Sequence, residues 1–92
     1  MATKSKTREA QYREILEDIG IRLEDCRVLA YQFPGRYGAI AFHFDAIREA
    51  ASFLFFDVLD ATATVVCAPE EVAAIDALAA RHGGEKRTPN LR

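Results

Sequence analysis

The most chemically versatile side chains in this sequence are two cysteines and two histidines: Cys26, Cys67, His43 and His82. Thiolate and imidazole are the usual ligands of zinc, which takes four of them in a closed structural site. Cys26 and Cys67 stand 41 positions apart without a Cys-x-x-Cys pair, and neither spacing nor density suggests a disulfide scaffold. In the hairpin read below, strand parity sets Cys26 and His43 on one face, and Cys67 can join them from a third strand. Those three residues define one candidate, a small-ligand or metal pocket, against the simpler alternative of reduced thiols packed in a core. Nucleophilic catalysis is thinly provided, because Ser5 and Ser52 are the only serines and neither stands in a nucleophile elbow. His82 falls in the last turn of a helix, where a positive charge complements the dipole, and Glu70, Glu71, Asp57 and Asp60 fit helix ends and solvated faces. With no glycine-rich phosphate loop and no converging set of acid, base and nucleophile, the sequence predicts neither an enzyme nor a bound cofactor.

One segment invites comparison with nucleic-acid-binding modules. Gly35-Arg36-Tyr37-Gly38-Ala39-Ile40-Ala41-Phe42 loosely resembles the RNP1 strand of RNA-recognition motifs, with Tyr37, Gly38, Ile40 and Phe42 fitting. The order of the basic residue and glycine is reversed, and Ala39 stands where the family places a second stacking aromatic. Gly35 and Gly38 also reproduce the Gly-x-x-Gly spacing with which KH domains clamp a backbone. Read as a hairpin loop, the same glycines supply positive φ after Pro34, leaving Arg36 and Tyr37 at an exposed tip. An arginine beside an aromatic is a common interface pair.

Charge is unevenly spread along the 92 residues. The net charge is -2 from 12 basic and 14 acidic side chains. Residues 1–13 hold Lys4, Lys6, Arg8 and Arg13 against Glu9, residues 81–92 hold Arg81, Lys86, Arg87 and Arg92 against Glu85, and each end is therefore +3 against -8 in the middle. Basic arms on an acidic body can reach phosphates or an acidic protein surface. No apolar run approaches the roughly 18 residues of a membrane span, and no secretory signal opens the chain, so a cytoplasmic protein is expected.

The elements that must position these groups follow from periodicity. Tyr12, Ile15, Leu16 and Ile19 make one stripe of a helix over Arg8 to Ile19, closed by Gly20. Cys26–Phe33 and Tyr37–Phe44 read as strands of a hairpin around Pro34-Gly35-Arg36, with Leu29, Tyr31 and Phe33 sharing a face with Ile40, Phe42 and Phe44. Because neither face is polar, both must be covered. Asp45 reads as the N-cap of a helix to about Leu59, with a strand over Phe53 to Leu59 as the competing reading because aromatic and β-branched residues favour it. Thr62 to Ala68 reads as a strand, and Pro69-Glu70-Glu71 opens a last helix closed by Gly83-Gly84. Glu85 to Arg92 is a tail or a short edge strand.

These elements predict a single α+β domain over residues 1–92, with residues 1–7 and 85–92 as basic arms. Its order is α-β-β-α-β-α, with about three helices on a mainly antiparallel sheet of three strands, or four if the tail adds one, a sandwich related to the ferredoxin-like fold. The expected function is a non-catalytic module that binds a protein or ribonucleoprotein complex, of the inhibitor or adaptor type. In size and lack of motifs it is like phage-encoded anti-CRISPR proteins, a comparison of general type that rests on no matched residue. The residues expected to carry it are Arg36, Tyr37, Lys86 and Arg87, with Lys4, Lys6 and Arg8 adding electrostatic steering and a route to nucleic acid. The alternative is a homodimeric small-ligand or metal-binding domain using Cys26, His43 and Cys67. The run Phe53-Leu54-Phe55-Phe56 is too apolar for one small helix face and must be buried on more than one side, within the chain or against another protein.

Overall fold

The computed structural model describes residues 7–49, 53–57 and 60–92, with positions 56 and 57 described by backbone alone. Among them the elements are helix α1 (Arg8–Glu17), strand β1 (Arg27–Gln32), helix α2 (Arg36–Glu49), strands β2 (Phe53–Asp57) and β3 (Thr62–Cys67), helix α3 (Val72–Arg81) and strand β4 (Glu85–Arg87). Short 3-10 turns at Leu23–Asp25 and Pro69–Glu71 lead into β1 and α3. The sheet has four strands in the order β2-β3-β1-β4, with every neighbouring pair antiparallel. β1 and β2 therefore run parallel to each other with β3 between them, and β1-α2-β2-β3-α3-β4 is a complete βαββαβ unit preceded by one extra helix.

The α+β class and antiparallel sheet are those the sequence predicts, with one exchange of elements. Residues 36–49 form a continuous helix where a second hairpin strand was expected, and β2 takes the place of the following helix. From Tyr37 to Glu49 the only glycine is Gly38, in the first helical turn, and no proline intervenes, a run of 13 residues that is long for a strand and ordinary for a helix. Asp45 caps nothing; its carboxylate is bonded to Arg48 and His82 inside and beside the helix. Ala39, Phe42 and Ala46, at i, i+3 and i+7, are fully buried and form the face that α2 lays on the core. The strand reading of Phe53 onward is the one adopted, and the tail supplies β4 at its start.

Strand alternation divides the interior into two layers. Leu29, Tyr31 and Phe33 of β1 and its continuation, with Ala63, Val65 and Cys67 of β3, face α2 and α3 and pack with Phe42, Ile75 and Leu78. On the other face Val66, Val28, Phe53 and Phe55 meet Leu16 of α1 and Leu23, and the Tyr12 ring stacks on Phe55 at 4.1 Å. Covering of both faces, inferred from the lack of a polar one, is thus met by α1 on one side and α2 with α3 on the other.

Two helix ends share one device. In α1 the amides of Gly20 and Ile21 return to the carbonyls of Glu17 and Leu16, and in α3 those of Gly83 and Gly84 return to Ala80 and Ala79. Each is a Schellman closure, and the residue that must turn left-handed is Gly20 (φ +81°) or Gly83 (φ +77°). Gly35 and Gly38, expected to supply positive φ, do not take it. The chain end is also tied down, since the Glu9 amide in the first turn of α1 donates to the Leu91 carbonyl at 3.0 Å.

Phe42→Ala should lower the stability by about 3–5 kcal/mol, because it empties a fully buried ring site, whereas Glu17→Ala at the exposed end of α1 should stay within about 0.5 kcal/mol. Urea unfolding followed by circular dichroism measures both.

Candidate functional site

Two of the expected binding residues, Arg36 and Tyr37, start α2 at the end of the sandwich where β1 stops. β1 ends at Gln32, the chain turns through Phe33, Pro34 and Gly35, and α2 begins at once with Arg36 and Tyr37. The close of α3 arrives beside this turn. A Cβ on Gly38 would stand 3.0 Å from the His82 carbonyl oxygen, and one on Gly84 would stand 2.7 Å from the Phe33 ring. Glycine at both positions is what lets the first turn of α2 and the α3–β4 turn lie against Phe33. Between them opens a cleft of about 320 Å³ lined by Gln32, Phe33, Pro34, Gly83 and Glu85. Tyr37 stands at this end with 91% of its surface exposed, and Arg36 beside it is also exposed.

Lys86 and Arg87 are in the edge strand β4 rather than on a free arm. Lys86 Nζ lies 3.2 Å from Asp76 Oδ2, and Arg87 bonds Gln32 Oε1 at 3.2 Å and Glu85 Oε2 at 2.7 Å. Asp76 also accepts the Tyr31 hydroxyl, so β1, α3 and β4 are tied through one carboxylate. Burial, then that hydrogen bond, push the Tyr31 phenol far above its ordinary range. Arg8 is the first residue of α1, while Lys4, Lys6 and both serines, Ser5 and Ser52, lie outside the described residues.

α2 and α3 are joined by a second polar contact. His82 Nε2 is 2.8 Å from Asp45 Oδ2, and Arg48 bonds the other oxygen of the same carboxylate. The His82 bond, followed by Arg48, holds Asp45 below its ordinary value. One turn further on, Arg81 Nη2 reaches Glu49 Oε2 at 3.4 Å.

The thiol-imidazole trio is dispersed. Cys26 sits on the α1 side of the sheet with its Sγ 3.5 Å from the Arg22 carbonyl, Cys67 is fully buried on the α2–α3 side, and His43 is on α2. The parity that paired Cys26 with His43 belonged to the hairpin, and the helix removes it. Among the described residues no three His, Cys, Asp or Glu side chains group as metal ligands would. Burial raises both thiols above the ordinary range, helped by Asp25 at Cys26 and by Glu71 at Cys67. The RNP1-like segment likewise becomes the start of α2 and presents no strand on which bases could stack.

The hairpin reading also hid a surface feature. Along α2, Tyr37, Ile40, Phe44 and Ile47 are exposed by 91, 40, 66 and 59%. Their 3-4-3 spacing is an apolar stripe on the side of the helix away from Ala39, Phe42 and Ala46. That spacing is present in the sequence, but period-two parity placed Ile40, Phe42 and Phe44 together. No protein-family model, curated protein or solved structure matches this chain.

Two outcomes test these placements. A disulfide reagent such as Ellman's should modify half-exposed Cys26 in the native protein and reach Cys67 only on unfolding. The Asp45 contribution has a pH signature: because its folded pKa is depressed, the stability it supplies is present above its ordinary value of 3.8 and is lost as pH falls through the lower, folded value. Asp45→Asn should therefore melt below the wild type near neutrality, and the difference should close in acid.

Proposed function

We propose that this chain is a non-catalytic interaction module of the inhibitor or adaptor type, acting in the cytoplasm by docking on a larger protein or ribonucleoprotein assembly. The observation that carries the reading is Tyr37, a large aromatic left 91% exposed at the start of α2. It stands beside exposed Arg36, at the end of the molecule where the Pro34–Gly83 cleft opens. Aromatic and arginine side chains supply most binding hot spots, and a rigid helix start presents them with little ordering cost on association. Lys86 and Arg87 on β4 line the neighbouring edge and add positive charge to it. Their ion pairs with Asp76 and Glu85 are exposed, so they can be exchanged for a partner's phosphates or carboxylates at small cost. Lys4, Lys6 and Arg8 supply three further positive charges near the start of the sequence and provide the route to RNA. An anti-CRISPR-like inhibitor is one member of this class, and the proposal is for the class.

The experiment is affinity capture from lysate of the source organism with the immobilised full chain, across a salt series and with or without RNase. Wild-type protein should retain a defined multi-subunit complex. Arg36→Glu with Tyr37→Ala should weaken retention by roughly 10-fold or more, as loss of a hot-spot pair does. Charge reversal at Lys86 and Arg87 should weaken retention most at low salt and flatten its dependence on salt, and RNase sensitivity identifies RNA as part of the contact. Equal retention by wild type and the Arg36/Tyr37 variant refutes the assignment.

A further inference from the structure

The two edges of the sheet are treated differently. β4 is three residues long and reads Glu85-Lys86-Arg87, short and fully charged, which are standard protections of an exposed edge. β2 is five residues long and reads Phe53-Leu54-Phe55-Phe56-Asp57, with no charge before its last residue and no proline. Its inner side pairs with β3, and among the described residues no strand pairs with its outer side. An unpaired edge with so apolar a sequence is a template for another strand.

The apolar stripe of α2 lies on the same side of the molecule. α2 touches β2 and β3, whereas α3 touches β1 and β4, so α2 is the helix nearer the β2 edge. Its flank toward α3 is marked by Asp45 against His82, Glu49 against Arg81, and Gly38 under the His82 carbonyl. At roughly 100° per residue, Ile40 lies about 180° around the helix from Glu49, and Ile47 about 160° from Asp45. Ile40 and Ile47 thus point away from α3, out beyond β2, with Phe44 between them.

We propose that the β2 edge and the Ile40–Phe44–Ile47 face of α2 form a two-fold interface with a second copy of this chain, joining two four-stranded sheets into one continuous sheet. A second copy fits because the surface is self-complementary. Antiparallel pairing of β2 with itself about an axis through Phe55 keeps every side chain on its own face of the sheet. Strands about 4.8 Å apart put each β2 roughly 2.4 Å and each β3 roughly 7.2 Å from that axis. α2, lying over both, is then roughly 5 Å from it, and the two α2 axes come to about 10 Å apart, within the usual helix-packing range of 8–10 Å. The helices cross the axis antiparallel, so Ile40 of one copy meets Ile47 of the other with Phe44 at the centre. Arg48, at the rim, is already neutralised by Asp45 of its own helix. This interface does not use β4, and its Ile40, Phe44 and Ile47 are other residues than the Arg36 and Tyr37 of the docking function proposed above.

The test is sedimentation equilibrium of the purified full chain, which needs no other molecule. Wild type should approach twice 10.2 kDa at tens of micromolar, and Ile40→Glu with Ile47→Glu should weaken association at least about 30-fold while keeping the wild-type circular dichroism. Hydrogen exchange of the wild type provides the second readout, independent of how the variant folds. In the associated state every β2 amide should be protected, including those that point away from β3, and dilution should release only the outward set. A 10.2 kDa species at all concentrations overturns the proposal. So does a dimer that survives both substitutions, or one whose outward β2 amides exchange freely.

Discussion

The constraint on which the structure depends is the burial of β3 on both faces. Val65 points to α2 and α3, Val66 points to α1, and both are fully buried. Adjacent valines on a strand necessarily point to opposite sides, so a sheet centred on this sequence needs a cover above and below. Among the described residues, helices of 10, 14 and 10 residues are there to make them. Two go to one face through the crossovers that a βαββαβ path requires. The third, α1, is left for the other, where Leu16 and Tyr12 seal the side of Val66 and Phe55.

That allocation explains why the polar contacts lie where they do. With α2 and α3 side by side, their exposed flanks meet in Asp45–His82 and Glu49–Arg81, contacts that set the relative position of two otherwise apolar-packed helices. Tyr31 and Lys86 converge on Asp76 for the same reason at the other border of α3. None of these groups opens into the Pro34–Gly83 cleft as a catalytic set. The perturbed groups are accounted for by burial and by structural pairing.

Much of the fold was legible in the residues. α1, β1, β3 and α3 carry clear signals: a 3.6-residue stripe in Tyr12 and Leu16, alternation in Leu29 and Tyr31, the Pro69-Glu70-Glu71 start, and the glycine closures at Gly20 and Gly83. The segment from Tyr37 to Phe56 was harder, for a physical reason. Both the odd and the even positions of Tyr37–Phe44 are apolar, because one set of side chains faces the core and another forms the exposed stripe of α2. A doubly apolar segment fits either period, and an exposed apolar face removes the polar positions by which a surface helix is normally recognised. Arg36 and Tyr37 were expected at an exposed hairpin tip, and they are exposed at a helix start instead. Cys26, His43 and Cys67 were assembled only by hairpin parity, so the site dissolved with the hairpin.

The conformation of residues 36–49 therefore decides the rest, since the core face, the dispersed thiols and the apolar stripe all follow from it. Backbone carbon chemical shifts of the labelled protein, with nuclear Overhauser contacts from the Phe42 ring, test it directly. A helical α2 gives continuous helical shifts from Arg36 to Glu49 and contacts from Phe42 to the rings of Tyr31 and Phe33. Extended shifts across Tyr37–Phe44, with cross-strand contacts to Leu29 and Tyr31, would contradict it.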